Sequence, residues 1–428
     1  METTTYTAFS DRIHRATTGR QVPLDVTFEV TRRCPLVCAH CYNNLPMGDR
    51  KAQLEELTTA DHRRLLEEVG DMGTLWLLFT GGEIFARPDF LDIYTHAKRN
   101  GFLVTLFTNG TLISPRVADY LAEWRPFAVE ITLYGRTRET YERLTGVPGS
   151  YDRCLRGIDL LRERGLPLKL KTVAVTINKH EVWDMQRFAE DELGVEFKFD
   201  PMINPRIDCS LSPLAVRLAP EEVVSFDMLD ARRVEEWRQF QQHQMQSTGA
   251  CSAGADLYEC GGGVTSFSVD PYGQMSICIL SHQDKYDLRN GTVREGWDQF
   301  LGRVRQKKTT RLTKCIECSL KSMCGMCPAN GELENGDPEA PVDFLCQVAH
   351  LRAHAFGLDV PPHGDCEYCG SGARHEELMR AVASLKRIEP QAHVESRQAN
   401  KLLPMLAAPV PTSGGCGSGG CSSCGVAH

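Results

Sequence analysis

The chain has 428 residues, enough for one large core or two smaller ones. Its 42% hydrophobic and 24% charged residues are those of an ordinary soluble globular protein. A formal charge of −8 supplies no basic field for nucleic acid or an anionic membrane. There is no run of 18 apolar residues and no signal-peptide layout, so no membrane partner is expected and the cytoplasm is the default location.

From Leu24 to Asp200 short apolar runs alternate with amphipathic stretches. Strands are predicted at Val26–Val30, Leu75–Phe79, Leu103–Phe107, Val129–Leu133, Leu168–Val175 and Val195–Phe199, where β-branched and aromatic residues sit between turn-like flanks. Helices are predicted near 57–70, 88–99, 114–124, 150–164 and 180–193. This βα alternation implies an α/β fold with a parallel sheet, open or curled into a partial barrel, with chemistry at the carboxyl ends of the strands. A connector (201–250) follows, with a polar helix around Pro220–Gln246. The region 251–360 is rich in Cys and Gly, and a small unit of that composition needs metal to hold it together. The last segment, 361–428, offers a helix at Ala373–Ile388 and a Gly/Ser-rich tail with Cys416, Cys421 and Cys424.

Eighteen cysteines are the anomaly. In a reducing compartment, cysteines at short spacings bind metal more often than they pair as disulfides. Cys34-Pro-Leu-Val-Cys38-Ala-His-Cys41 directly follows the first predicted strand. Three thiolates from one loop can hold a [4Fe–4S] cluster and leave one iron open, as a catalytic centre requires. The competing reading is a zinc knuckle with His40 as fourth ligand.

A C-x3-C-x2-C motif after a first strand resembles the signature of the radical S-adenosylmethionine (SAM) superfamily. Thr80-Gly81-Gly82-Glu83 at the end of the second strand resembles that family's contact to the SAM amino group. Two glycines allow close backbone approach to a ligand, and Glu83 can accept from an ammonium. Thr108-Asn109-Gly110 and Thr132-Leu133-Tyr134-Gly135 end the next two strands, where the family touches its cofactor. Tyr134 departs from the Ser and Asp common there. By the same resemblance Arg143, read as lying before the next helix, would pair with the SAM carboxylate, and Tyr42 would pack near the adenine. The implied cofactor contacts are therefore Tyr42, Gly81, Gly82, Glu83, Thr108, Asn109, Thr132 and Arg143. The implied fold is a partial (β/α)6 TIM-like barrel over 1–200.

Cys260 and Cys278 bracket a hairpin at Phe267–Ile277, and Cys315-x2-Cys318-x5-Cys324-x2-Cys327 and Cys346 follow. Two zinc-ribbon-like sites are one reading. The order is similar to the SPASM extension of radical SAM enzymes, with two auxiliary [4Fe–4S] clusters. That resemblance implies an outer cluster on Cys315, Cys318, Cys324 and Cys346. The inner one would use Cys260, Cys278 and Cys327, with Cys251 as the best fourth ligand; without Cys251 it would have an open iron. The family usually has one more residue before the cysteine that Cys327 matches. Cys366-x2-Cys369 lies outside the resemblance and could join a further metal site with the tail cysteines; the tail could equally be a redox relay or a modifiable peptide. Cys154 reads as core, and Cys209 has no assignment.

The resemblance implies a [4Fe–4S] cluster and SAM as cofactors and an external one-electron donor such as a flavodoxin or ferredoxin. It implies reductive cleavage of SAM to a 5′-deoxyadenosyl radical, which takes hydrogen from a substrate C–H bond. The expected substrate is a peptide or protein, giving thioether or C–C crosslinks, epimers or an oxidised side chain. A maturase of haem-type or other cofactor precursors is the alternative. From a different class, an iron–sulfur electron carrier or a zinc-stabilised binding protein would close all its metal sites. No catalytic acid or base follows from the sequence.

Overall fold

A computed structural model describes residues 5–244 and 255–390. Six parallel strands follow one another in space in chain order: β1 (Asp25–Thr31), β2 (Trp76–Gly81), β3 (Leu103–Thr108), β4 (Ala128–Thr132), β5 (Leu168–Val173) and β6 (Glu196–Asp200). Each crossover is a helix, as right-handed βαβ units demand: α1 Thr59–Asp71, α2 Phe90–Arg99, α3 Pro115–Glu123, α4 Arg138–Thr145 with α5 Ser150–Glu163, and α6 Val182–Arg187. The result is the expected α/β partial barrel.

Alternation along each strand sorts the side chains. Phe28, Phe79, Val104, Leu106, Val129, Ile131 and Leu170 are buried, as are Leu65, Leu66, Phe90, Ile93 and Leu161 on the helices. Phe79 meets Phe90 edge to face at 5.5 Å. Burying each such side chain fully is worth roughly 1.5–3 kcal/mol, which makes this layer the main stabiliser. The opposite face carries different chemistry. Register pairs Phe107 with Glu130, Glu130 with Lys169, Thr132 with Lys171 and Lys171 with Lys198, so these residues share the inner side of the sheet.

Helix boundaries follow local chemistry. Thr58 and Asp61 close a capping box at the start of α1, Ser114 caps α3 ahead of Pro115, and Gly146 ends α4 in the left-handed region at φ 68°. Several helices escaped the sequence reading, among them α4, Asp343–Ala355 and a leading helix Tyr6–Thr17 whose Tyr6 hydroxyl accepts from Trp76 Nε1 at 2.8 Å. The helix predicted over 220–246 breaks at Asp230 into Pro220–Leu229 and Ala231–Gln244.

The hairpin expected in the cysteine-rich region forms from β7 (Ser266–Val269) and β8 (Gln274–Ser276), with a short β9 (Tyr286–Asp287) beyond it. It is not set apart from the barrel. β7 pairs parallel with β1, Asp25 facing Ser266 and Phe28 facing Val269, so the sheet runs β9-β8-β7-β1-β2-β3-β4-β5-β6. The order names no closing pair between β6 and β9, and the curl stays open.

Candidate cofactor site and cysteine clusters

At the carboxyl end of β1 the chain enters the cysteine loop through a short parallel pair, Arg33–Cys34 with Leu45–Pro46. Arg33 grips Glu56 with two hydrogen bonds of 2.9 Å, both residues buried, and the Thr31 hydroxyl also donates to Glu56. Val37 N–H and Ala39 N–H donate to the carbonyls of Thr145 and Leu144 at the end of α4. Arg206, from the connector, donates to the carbonyl of Cys41 at 3.2 Å and to Asn44. The loop is therefore fixed from three sides, and Arg206 carried no sequence signal.

Burial raises the Cys34, Cys38 and Cys41 thiols above their usual range; Cys34 also feels the charge of Cys41, and Cys38 those of Cys41 and Cys34. Their sulfurs also receive donors. Leu36 N–H and Asn109 Nδ2 approach Cys34 Sγ at 3.4 and 3.5 Å, the Asn43 and Asn44 amides serve Cys41, and the Tyr134 hydroxyl serves Cys38. Such N–H···S and O–H···S bonds offset negative charge on cluster-bound thiolates. The donor set thus fits an iron–sulfur cluster. Tyr134, the departure from the family pattern, has a place in it. His40 packs on Tyr134 at 5.4 Å with the rings tilted by 53°, its Nδ1 is buried without a hydrogen-bond partner, and burial lowers its pKa to about 4.

Gly81 and Gly82 sit where the register of β1 against β2 shifts. At Gly81 (φ 141°) a Cβ would lie 2.0 Å from the Thr31 carbonyl oxygen; at Gly82 it would lie 2.4 Å from that of Arg32. The close approach these glycines allow is to the neighbouring strand, which brings Glu83 beside the cysteine loop. Glu83 is buried and accepts from the Thr108 hydroxyl at 2.7 and 2.9 Å and the Asn109 amide at 2.8 Å. Two of its partners thus come from the end of β3, which fixes the carboxylate at the mouth of the barrel. Asn109, reaching Cys34, joins that knot to the cysteines.

Two other residues named from the sequence have partners of their own. Arg143 lies within α4, is exposed, and donates to the Ile177 carbonyl at 3.0 Å. The Tyr42 hydroxyl donates to Glu29 at 2.7 Å. Thr132 is buried at the end of β4 beside Lys171, as its strand-end position implies. Sequence reasoning missed the charged cluster below it. Glu130 accepts from Lys198 at 2.8 Å and lies 3.4 Å from Lys171, whose pKa burial lowers to about 7 despite the Glu130 charge.

In the cysteine-rich region Cys327 feels the charges of Cys278 and Cys260, and Cys278 that of Cys260. Cys315, Cys318 and Cys324 lie with Cys346, which hydrogen-bonds Cys324. Cys251 and the tail cysteines lie outside the described residues. Cys154 is buried in α5, as expected for core. Cys209, at φ 64°, has its sulfur 3.3 Å from His282 Nε2, and His282 Nδ1 faces Glu332 at 3.5 Å. Among the described residues no helix is long and apolar enough to cross a membrane.

An open parallel barrel with three loop cysteines at its first strand end and a Gly-Gly-Glu turn at its second defines a radical SAM domain, and residues 28–190 match the radical SAM superfamily. Residues 28–190 are thus a radical SAM domain, and the protein is an iron–sulfur enzyme that uses a [4Fe–4S] cluster and SAM. It is similar to the AdoMet-dependent heme synthase of Nitratidesulfovibrio vulgaris, 25% identical over 76% of this chain and 93% of the relative. It is also similar to the mycofactocin maturase MftC of Mycobacterium ulcerans, 26% identical over 72% and 81% respectively. Among solved structures, Streptococcus suis SuiB bound to precursor peptide SuiA matches with a TM-score of 0.57 at 20% identity, covering 80% of each chain. At that identity the likeness concerns the fold.

Proposed function

We propose that Cys34, Cys38 and Cys41 hold the catalytic cluster, that SAM lies against the ends of β2, β3 and β4, and that the substrate is a peptide or protein side chain. The observation that carries the first part is the direct link from Asn109 to the Cys34 sulfur within a knot that also ties Glu83 and Thr108. When bound, cluster and SAM together supply one-electron cleavage of the sulfonium and a 5′-deoxyadenosyl radical that takes hydrogen from an unactivated C–H bond. The chain's own residues fix the cysteine loop, offer hydrogen bonds to its sulfurs and line the space where the C–H bond is presented.

The inner face of the sheet favours a peptide over a porphyrin precursor. Its three lysines face two carboxylates, Lys171 and Lys198 sharing Glu130 and Lys169 pairing with Glu196, which leaves at most one cation uncommitted. A haem precursor carrying several carboxylates calls for uncommitted cations, and a peptide does not. The maturase and cyclase names among the relatives agree with this reading. Two auxiliary clusters on the outer and inner cysteine sets, an external flavodoxin or ferredoxin, a cytoplasmic setting and boundaries near residues 200, 250 and 360 complete the proposal.

Anaerobic enzyme, reduced in the presence of SAM, is expected to form 5′-deoxyadenosine. Changing Cys34, Cys38 and Cys41 to Ala should abolish that product and leave auxiliary iron in place. Persistence of the product, or equal loss of all iron, would overturn the cysteine assignment. With deuterated candidate substrates, label should pass into 5′-deoxyadenosine from a peptide; transfer from a porphyrin precursor alone would overturn the substrate assignment.

A further inference from the structure

Beyond the two auxiliary cysteine sets, a third group stands at the far end of the cysteine-rich region. The helix Asp343–Ala355 carries Cys346 and, one turn later, His350; the loop after it carries His363-x2-Cys366-x2-Cys369. One ligand atom from each of His350, His363, Cys366 and Cys369 lies within 4.8 Å of all the others, and all four residues are buried. No other set of described His, Cys, Asp and Glu side chains gathers in this way. We propose that these four residues form a mononuclear zinc site of the Cys2His2 type.

The distances suit the ion. Zinc binds sulfur at about 2.3 Å and imidazole nitrogen at about 2.0–2.1 Å, so a tetrahedral site sets sulfur and nitrogen roughly 3.5 Å apart. His350 Nε2 lies 3.0 Å from Cys369 Sγ and 3.5 Å from Cys366 Sγ, and His363 Nδ1 lies 3.4 Å from Cys369 Sγ. A tetrahedral set of two sulfurs and two nitrogens disfavours hard cations, and four protein ligands converging on one point suit a single zinc ion.

The surroundings orient the ligands. His350 Nδ1 is 2.7 Å from the Cys346 carbonyl, so that nitrogen carries the proton and Nε2 is left for the metal. Tyr368 packs on the His350 ring at 5.3 Å and donates to Asp343 at 3.0 Å, tying the loop to the helix it faces. His363 Nδ1 is also 3.2 Å from the Pro361 carbonyl, so binding takes the tautomer that carries its proton on Nε2 and leaves Nδ1 for the metal. The two thiol protons leave, and the site of one Zn²⁺, two thiolates and two neutral imidazoles ends neutral, as its burial requires.

Four protein ligands close the coordination sphere, which makes the site structural. Because zinc is not redox-active, it would fasten the C-terminal helix Ala373–Leu385 beside the outer cysteine set without joining electron transfer. The sequence had offered the tail cysteines as partners for Cys366 and Cys369. The geometry points to two histidines instead.

Iron-loaded, full-length enzyme purified anaerobically should contain about one equivalent of zinc by mass-spectrometric metal analysis. The Cys366→Ser/Cys369→Ser double variant should lose that zinc and keep its iron. His363→Gln, a milder change in the loop, should weaken retention against a chelator several-fold. It should also alter the tetrahedral thiolate absorption of cobalt-substituted protein, with far-UV circular dichroism unchanged. Iron that falls with Cys366 and Cys369 in zinc-free protein would assign the pair to an iron–sulfur cluster and overturn the proposal. Zinc retained unchanged in both variants would overturn it as well.

Discussion

Among single residues, His62 gives the cleanest test of the packed layer between sheet and helices. It is fully buried, its Nδ1 lies 3.0 Å from the Thr58 carbonyl, and its ring sits 6.2 Å from that of Phe28. Burial first, and then the nearby Arg87 charge, lowers its pKa to about 4. The unfolded chain binds a proton near pH 6.5 that the folded chain refuses until about pH 4. His62 therefore leaves stability intact above pH 6.5 and erodes it as pH falls towards 4, by about 2 kcal/mol at pH 5 for a displacement of this size. His62→Leu should remove that loss: its denaturation midpoint, compared with the parent, should rise between pH 8 and pH 5. An equal response of both proteins would show that His62 does not titrate as described.

At the level of elements, the junction of β1 and β2 is the most constrained backbone in the molecule. Gly81→Ala would set a Cβ 2.0 Å from a carbonyl oxygen at a positive φ that a side chain rarely adopts. The strands would have to part, and Glu83 would leave Thr108 and Asn109. Stability should fall by several kcal/mol, as for other cases of strain at a special backbone position, and cofactor binding should go with it. Gly19→Ala, also at positive φ but with no atom within 4 Å, should cost only about 1 kcal/mol. Thermal melts of the two variants decide the matter; similar behaviour would mean the strand contact is not what requires Gly81. The same junction shows what the sequence could reveal. Each of the six parallel strands overlaps its predicted run, because buried β-branched and aromatic runs depend on local pattern alone. The Gly-Gly-Glu turn was recognisable as a motif, but the direction of its close approach depends on a register shift that no spacing encodes. The place of Arg143 within α4, bonded to the Ile177 carbonyl, was not legible either, because a motif position says nothing about which side of a helix a residue occupies. Arg206, His350 and His363 were passed over because each reaches its partners through tertiary structure, although His363-x2-Cys366-x2-Cys369 was there to be read.

Over the whole molecule, barrel and cysteine-rich region share one sheet and one ion-pair network. Asp227 in the connector is fully buried and accepts from Arg233 at 2.7 Å and from Arg352 of the Asp343–Ala355 helix at 2.8 Å. Removing one partner of such a network typically costs about 3–5 kcal/mol, since the arginines stay buried without their counter-charge. Asp227→Ala should therefore lower the denaturation midpoint by that order. It should also reduce iron retained by the outer cysteine set, which stands beside Arg352 through Met323. Unchanged iron in a destabilised variant would separate the network from the clusters.

The pairing of β7 with β1 also sets a timetable for biogenesis. Residue 25 meets residue 266, so the outer edge of the first strand waits for about 240 more residues. At roughly 5–20 residues per second of synthesis, that interval is about 12–48 s, during which the edge is open to any other extended chain. A chaperone that shields a nascent strand over that interval is therefore expected to raise the yield of folded enzyme.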